Sequence, residues 1–547
     1  MKNSILKIHP ADSILVALQH LQAGETVTYD GHPYTLTENI PAKHKFYMSD
    51  APAGTEIIMY GVLVGKTEKE VKTGSRVSTE NLKHASGPYD FRNAGYHWTP
   101  PDVSAFKDLS FRGFHRHDGR VGTANYWLFL PTVFCENRNL DVIREVLQDE
   151  LGYSVTEKYK SFTRELILAQ QQGKKATEQD IPAFASARAR SRVFKNVDGI
   201  RFLTHEGGCG GTRQDSAILG KLLSAYANHP NVGGITILSL GCQHLQSSEL
   251  LDDIKNASPG FDKPIYVFEQ QQSQSEEQLI QEAIRKTFEG LTLINQLERK
   301  PASLDQLCIG VKCGGSDGFS GITANPAVGY CADLLVALGG KILLAEFPEL
   351  CGVEQELVDR SVNETVARKF IRLMRDYEAS AARSGSGFHM NPSPGNIRDG
   401  LITDAMKSAG AAKKAGNAPV ADVLDYTEPA TKPGLSLVCT PGNDVEATTG
   451  QAASGATLIL FTTGLGTPTG NPVCPTIKIS TNTALARRMP DIIDIDTGSI
   501  IEGEKSIREM GEEILRYCIR AASGEITPKA VLLNQDDFIP WKRGVSL

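Results

Sequence analysis

From about residue 110 onward, short apolar β-prone runs alternate with amphipathic stretches of helical period. The runs read as strands are Tyr126–Leu130, Gly199–Leu203, Ile235–Leu240, Pro264–Phe268, Leu307–Val311, Lys341–Ala345, Leu435–Val438 and Thr457–Phe461. Several are followed by helical patterns, among them Glu276–Phe288, Ala327–Leu338 and Glu354–Tyr377. This alternation predicts α/β architecture with largely parallel sheets. Division near residue 290, with Leu291–Leu304 as the connection, gives α/β domains over 110–290 and 291–547. Residues 1–86 differ, reading as a small unit of short strands with one helix. That helix is expected after Asp12, with Ile14, Leu15, Leu18 and Leu21 on its apolar face. Asp30-Gly31 predicts a hairpin turn, and Glu56–Gly65 a further strand or strand pair. Residues 87–109 show no period and read as a linker, and 172–197 as an exposed insertion or helix.

Length and composition narrow the class. A chain of 547 residues exceeds one compact core, so two to four domains are expected. Hydrophobic residues at 40% and charged residues at 22% are those of a soluble globular protein. The net charge of −7, without a Lys/Arg-rich block, argues against nucleic-acid binding. His9, Pro10, Asp12 and Ser13 interrupt the first apolar stretch, which argues against a signal peptide. No run approaches the roughly 18 apolar residues of a membrane span, so a cytoplasmic protein is expected. In such a setting the ten cysteines read as reduced thiols or metal ligands rather than disulfides.

The strand ends carry the candidate chemistry. Small, polar, Gly-rich segments follow strand after strand: PTVFCENRN (131–139), THEGGCG (204–210), LGCQHLQ (240–246), CGGSDGFSGITANP (313–326), TPGND (440–444) and FTTGLGTPTG (461–470). Ligands of open α/β sheets bind beyond the carboxyl ends of the strands, near helix N-termini. Glycines admit a ligand to the backbone, and Ser, Asp, Asn and Thr bond hydroxyls, so six such ends point to a small, hydroxyl-rich, anionic ligand. Ordinary βα loops are also rich in Gly and Asn, which is the plainer account. Cys135, Cys209, Cys242 and Cys313 share one placement just past a strand, where thiolates could ligate iron as a single ion or as a cluster. No compact CxxC pair accompanies them, and packing thiols are the alternative. His205 beside Glu206 suits an acid/base or ligand role. His244 follows Cys242, His115 and His117 flank Arg116, and His44 lies in IPAKHKF, each with a structural role as alternative. Lys478 and Lys312 are candidates for binding a carboxylate or acting as a base, against the default of a surface lysine.

CGGSDGFSGITANP, NPSPGN (391–396), TPGND and FTTGLGTP, in this order and spacing, resemble the carboxy-terminal domain of altronate and galactarate dehydratases. DGRVGTAN (118–125), an LPT strand end, HPNVGG (229–234) and LGC resemble their second domain, and the first 86 residues with IPAKHKF resemble their SAF (β-clip) domain. The closing RGVSL is also like the family's ending. The resemblance implies a small all-β SAF domain before two α/β domains. It further implies removal of water from C2–C3 of a six-carbon sugar acid, altronate foremost, to give a 2-keto-3-deoxy acid. A divalent metal is implied, Fe²⁺ first, with Mn²⁺ or an iron–sulfur cluster as alternatives. On this reading His205, Glu206 and Lys478 are the expected catalytic residues, and Cys135, Cys209, Cys242, Cys313 and His44 the expected metal ligands. Arg120, Asn125, Ser316, Asp317, Ser320, Asn325, Asn396, Asn443, Asp444 and Thr463 are the expected substrate contacts.

Two departures bear on the substrate rather than the fold. Where relatives commonly carry alternating histidines at the end of the SAF domain, this chain has RVSTEN (76–81). After NPSPGN the usual Lys-Ala-Gly-Gly is Ile397-Arg398-Asp399-Gly400, with Arg398 the candidate replacement for a carboxylate-binding lysine. Competing readings are dehydration of another aldonate or of an aldarate such as galactarate, elimination of sulfite from a sulfonated acid, and a non-catalytic sugar-acid-binding protein. A nicotinamide dehydrogenase is disfavoured by the lack of a GxGxxG fingerprint. The expected partner is a small sugar acid, with no nucleic acid and no membrane, and a homo-oligomer is compatible with the sequence.

Overall fold

The computed structural model describes residues 4–173 and 191–543. Most of the insertion expected at 172–197, and all of RGVSL after Arg543, lies outside the described residues. The chain divides into two compact units, Met1–Arg112 with Pro301–Ala530, and Gly113–Lys300 with Val531–Leu547. Among the described residues no helix is long and apolar enough to cross a membrane.

The first unit begins with small antiparallel sheets, as the resemblance to a SAF domain implies. Strands β1 (Ile5–Leu6), β2 (Ile14–Ala17) and β5 (Lys45–Tyr47) form one sheet in the order β1-β2-β5. Strands β3 (Thr26–Tyr29) and β4 (His32–Thr35) pair as a hairpin across Asp30-Gly31, both of which take positive φ. That is the backbone a tight primed turn demands. Strands β6 (Glu56–Met59), β7 (Val62–Thr67) and β8 (Leu82–Lys83) make the third sheet.

The helix expected after Asp12 is instead strand β2. All four of its residues are buried, flanked by β1 and β5. A short strand covered on both faces is a continuous apolar run, which over four residues cannot be told from a helix face. Asp12 still ties down a turn, accepting hydrogen bonds from the backbone N–H groups of His9 (3.0 Å) and Gly61 (2.9 Å). Residues 84–103 carry neither helix nor strand, and Arg92 there pairs with Asp359.

The larger part of this unit is a seven-stranded sheet. Its strands are β16 (Cys308–Cys313), β17 (Lys341–Leu344), β18 (Val420–Leu424), β19 (Gly434–Val438), β20 (Leu458–Thr463), β21 (Thr476–Ser480) and β22 (Ile495–Asp496). The order is β18-β19-β17-β16-β20-β21-β22, and the pairings are parallel. Chain order reverses direction between β16 and β20, the place where open α/β sheets leave a ligand crevice. The helix expected over Glu354–Tyr377 is two helices, α7 (Glu354–Asp359) and α8 (Glu364–Arg383). The break falls at Asn363, whose side chain accepts from the N–H of Val366 and starts α8 afresh.

Within this unit, segment 43–45 of the SAF part grips the loops of the larger sheet. Lys43 pairs with Asp317 (3.0 Å) and Asp399 (2.9 Å), the His44 Nε2–H donates to the Arg398 carbonyl (3.0 Å), and Lys45 Nζ donates to the Gly400 carbonyl (2.7 Å). Burial brings the Lys45 ammonium down to about 7. Asp399 and Gly400 are thus held by IPAKHKF.

The second unit holds the parallel sheet β12-β11-β13-β14, from β11 (Tyr126–Pro131), β12 (Gly199–Phe202), β13 (Val232–Ser239) and β14 (Ile265–Glu269). Helices α1 (Asn137–Glu150), α3 (Arg213–Ala227), α4 (Ser247–Ala257) and α5 (Glu276–Ile294) intervene along the chain. Trp127 is fully buried, and a Cβ on Gly234 or Gly290 would fall about 2 Å from its ring. This is why HPNVGG needs its second glycine.

Gly400 has φ +91°, and a Cβ there would lie 2.4 Å from the Lys43 carbonyl oxygen. We expect Gly400→Ala to destabilise the protein by about 1–3 kcal/mol. An unchanged melting temperature would show that the 43–45 contact is not tight.

Candidate active site

The six Gly-rich strand ends do not share one edge. Those after β11, β12 and β13 belong to the four-stranded sheet of the second unit, and those after β16, β19 and β20 to the seven-stranded sheet. Each edge is described by itself.

At the edge of the seven-stranded sheet lies a cavity of about 560 Å³. Cys313, Gly314, Gly315 and Ser316 line it from the end of β16, Glu349 from the turn after β17, and Asn443 and Asp444 from the start of α11 (Asp444–Ala453). Asn391 and Asn396 line a further wall, with Lys407 on α10 (Asp404–Ala412). Ser393 and Asn396 form a reciprocal cap on α9 (Pro394–Arg398), and Asn396 Nδ2 donates to the Ser316 carbonyl (2.8 Å). NPSPGN and CGGSDG are thereby fixed to one another.

Beneath these residues sits a buried charge network. Lys312 pairs with Glu346 and, at 2.9 Å, with Asp444. Lys414 pairs with Glu346 at 2.9 Å, and Lys407 with Glu349 at 2.6 Å. Lys407 also donates to Asn391 Oδ1 (2.6 Å). Glu346 is fully buried and holds a left-handed backbone (φ 73°, ψ 57°), a strained conformation for a residue with a Cβ. Burial raises the Glu346 carboxyl above its ordinary range despite Lys312 and Lys414. Burial acts on Glu349 in the same sense, but Lys407, Lys312 and Lys414 overcome it and hold that carboxyl at about 2. Burial pushes the Cys313 thiol up to about 11, although Lys414 Nζ lies 3.2 Å from its sulfur.

Donor atoms of Cys313, Glu346 and Glu349 lie within 4.8 Å of one another, and this set is consistent with a divalent ion. In the structure its charges are met by lysines. The ammoniums of Lys312, Lys407 and Lys414 face the carboxylates of Glu346, Glu349 and Asp444, and Cys313 is a neutral thiol. A metal there would have to displace ammonium groups and take a proton from sulfur.

Of the residues expected from sequence, Cys313, Ser316, Asn396, Asn443 and Asp444 meet at this cavity. Others lie just behind it. Asp317 is buried, paired with Lys43 and accepting from Ser320, Thr481 and Asn482. Asn325 bridges the Gly410 carbonyl and the Thr462 hydroxyl, and Thr463 Oγ1 accepts from the N–H groups of Gly466 and Thr467. Lys478 donates to the carbonyls of Thr467 and Thr469 and lies 3.8 Å from the centre of the Phe461 ring. The side chain of Arg398 is exposed and outside the lining, and His44 is engaged with the Arg398 carbonyl.

The remaining expected residues are in the second unit. Arg120 pairs with Asp118 and donates to the Asn228 carbonyl. Asn125 donates to the Asn196 and Ile294 carbonyls and accepts from Arg116. Cys135, Cys209, Cys242 and Glu206 are exposed. His205 is buried, with Nε2–H donating to the Pro131 carbonyl (2.9 Å) and Nδ1 accepting from the N–H of Gly207 (3.0 Å). Both ring nitrogens are used in the neutral tautomer, and burial lowers the ring to about 4.

Glu346, Glu349, Lys407 and Lys414 were not picked out by the strand-end pattern. AEFPEL after β17 lacks glycine, so it does not look like a ligand loop. Lys407 and Lys414 had a usable signal, since they lie seven apart in an Ala- and Gly-rich helical run. That spacing places two ammoniums on one face of a helix small enough to be buried.

A polar crevice at a parallel-sheet edge, with a buried Lys–Glu pair opening into it, has the character of a site for a small polar ligand. The chain belongs to the D-galactarate/altronate dehydratase family. Family models match in three consecutive parts: the altronate/galactarate dehydratase SAF domain over residues 3–85, the D-galactarate dehydratase/altronate hydrolase second domain over 113–295, and the D-galactarate/altronate dehydratase C-terminal domain over 304–546. The chain is 32% identical to an altronate dehydratase of Bacillus subtilis over 550 residues, covering 100% of both chains. It is 31% identical to an altronate dehydratase of Escherichia coli, covering 99% of each. A galactarate dehydratase (L-threo-forming) of Escherichia coli is 30% identical, covering 95% of this chain and 93% of that one. By this membership the chain is a sugar-acid hydro-lyase.

The His205 ring yields a pH prediction. Its folded value lies below the ordinary value of 6.5, so the unfolded chain binds the proton first. The contribution is fully present above about pH 6.5 and declines as pH falls toward about 4, by at most about 3 kcal/mol. Denaturant unfolding at pH 7 and pH 5 should show this decline, and His205→Gln should flatten it. An equal slope in the variant would assign the acid sensitivity elsewhere.

Proposed function

We propose that the chain removes water across C2–C3 of a six-carbon aldonate, altronate foremost, in the cavity lined by Cys313, Glu349 and Lys407. The observation that carries this reading is the Lys407–Glu349 pair, buried on one side and open to the cavity on the other. A proton beside a carboxylate is weakly acidic, so elimination needs a cation on the substrate carboxylate and a base at C2.

Lys407 supplies the cation. It is raised by Glu349 despite burial, so it enters the reaction as an ammonium. When it turns to the substrate carboxylate it leaves Glu349, and the carboxyl it had held at about 2 becomes a stronger base. Glu349 takes the C2 proton, the enediolate forms against Lys407, and the same carboxyl returns the proton to the departing 3-hydroxyl. Water leaves, and the resulting enol becomes the 2-keto-3-deoxy acid. Ser316, Asn391, Asn396 and Asn443 are the groups for the remaining hydroxyls. A divalent ion at Cys313, Glu346 and Glu349 would add Lewis acidity toward the same oxygens.

Among the described residues, the cavity has one basic side chain in its lining, Lys407. One cation suits one carboxylate, which favours an aldonate over an aldarate such as galactarate. The test is an anaerobic assay with Fe²⁺ or Mn²⁺ against a panel of both, detecting 2-keto-3-deoxy acid. Product from altronate is expected. Product from galactarate alone would overturn the one-cation argument, and product from neither would overturn the substrate class. Glu349→Gln should lower kcat by about 10²-fold or more and slow exchange of the C2 hydrogen with deuterated solvent. Lys407→Met should abolish turnover, and either variant retaining full activity would remove these residues from the chemistry.

A further inference from the structure

The cavity that holds the Lys407–Glu349 pair has two unlike sides. Its polar groups come chiefly from 313–316, 391–396 and 442–444, together with Glu349 and Lys407. Among the described residues, its apolar lining is Pro348 with Tyr377, Ala381, Phe388 and Met390, the last four from one continuous stretch of chain. The dehydration scheme gives that stretch no part.

Local structure builds the apolar side as a unit. Tyr377 and Ala381 lie four apart near the end of α8, so they share one face of the helix, and both are half-buried. Beyond α8 the chain makes a tight turn. There the N–H of Met390 donates to the Gly387 carbonyl (3.1 Å), and the N–H of Asn391 to the Phe388 carbonyl (2.9 Å). A Cβ on Gly387 would fall 2.7 Å from the His389 ring, so the turn needs glycine at that point. The turn sets the Phe388 ring edge-on to Tyr377, with ring centres 5.5 Å apart. It leaves Met390 in the lining with 60% of its surface exposed, apolar area that a ligand can still remove from water. The next residue, Asn391, accepts from Lys407 (2.6 Å), so the apolar side begins directly beside the catalytic pair.

We propose that Tyr377, Phe388 and Met390 set specificity for the end of the substrate remote from its carboxylate, and that they favour an aldonate whose chain ends in methyl. The proposal rests on the dehydration reading, which puts the substrate carboxylate on Lys407 and C2–C3 at Glu349. The carbons beyond C3 then run between the two sides of the cavity. Hydroxyls on one side meet Ser316, Asn396 and Asn443, and groups on the other meet two rings and a thioether. A hydroxyl pressed there loses water without gaining a partner, and a second carboxylate loses far more. A methyl group gains by the same burial. Stacking of a sugar C–H face on a ring is the plainer account of Tyr377 and Phe388, but it leaves Pro348, Ala381 and Met390 unexplained.

The test compares altronate with its 6-deoxy analogue on the full-length protein, by anaerobic turnover with Fe²⁺ or Mn²⁺ and by calorimetric binding of each acid. The 6-deoxy acid is expected to be the better substrate by about fourfold in kcat/KM, the worth of one buried carbon, with the gain in KM. Met390→Gln should turn the preference toward altronate, and because Met390 is exposed the variant should keep the wild-type melting temperature. A site that bonds the terminal hydroxyl instead rejects the analogue lacking it by roughly 10⁴-fold. A 6-deoxy to altronate ratio of one or less would overturn the proposal, as would an unchanged ratio in Met390→Gln. Tighter binding of the 6-deoxy acid without turnover of either keeps the apolar side and removes the dehydration. Turnover of altronate alone does the reverse, and binding of neither acid overturns both.

Discussion

The larger part of the first unit depends on taking Lys312 and Glu346 out of water together. Lys312 is the last residue but one of the central strand β16, has no exposure, and its ammonium lies between Glu346 and Asp444. Unpaired, either charge would cost several kcal/mol at that depth. Their pairing fixes the turn after β17 against the end of β16 and against the start of α11. The Glu346 backbone accepts left-handed strain to make the contact, and Lys414 reaches Glu346 from the end of the Ala-rich run that begins at α10. The cavity wall is the outer surface of this arrangement.

A buried ion pair is weak evidence of stability, since apolar residues of similar volume often do as well. Three lysines and three acids at one sheet edge therefore call for a reason other than folding. Their effect on Glu349 supplies one. A carboxyl surrounded by ammoniums is held far below the range of a useful base, yet one of those ammoniums, Lys407, faces the cavity. On the function proposed above, a substrate carboxylate entering the cavity would compete for Lys407 and free Glu349 to act as a base. In that scheme the network would link binding of a carboxylate to readiness for proton transfer, using side chains already in place.

The architecture was legible because it rests on period and punctuation. Parallel strands buried on both faces read as apolar runs, and the Asp30-Gly31 hairpin as a turn signal. The SAF strand at Ile14–Ala17 was misread because four buried residues carry no period. Part of the cavity was legible too, where ligand loops announce themselves with glycine and small polar residues: Cys313, Ser316, Asn396, Asn443 and Asp444. Glu349 and Lys407 were hidden, because their chemistry depends on a pairing between residues 58 positions apart. Asp317, Asn325 and Thr463 show the opposite failure. Their residue types suit a ligand, but tertiary structure spends them on Lys43, Gly410 and the 466–467 turn.

The histidines of the second unit sharpen this point. His205 sits in the most site-like loop of the sequence, THEGGCG, and yet both its ring nitrogens are committed to the backbone. Its neutral form joins the end of β11 to the turn that carries Cys209, so the ring acts on the loop and not on a ligand. The side chains of the RVSTEN stretch are likewise committed within the SAF part. Arg76 there is occupied with Glu38, and Asn81 accepts from Tyr47 and donates to the Arg76 carbonyl. Polar side chains of this turn close the SAF part on itself. Among the described residues, the charged side chains that line the cavity are Lys407, Glu349 and Asp444, and no imidazole lines it.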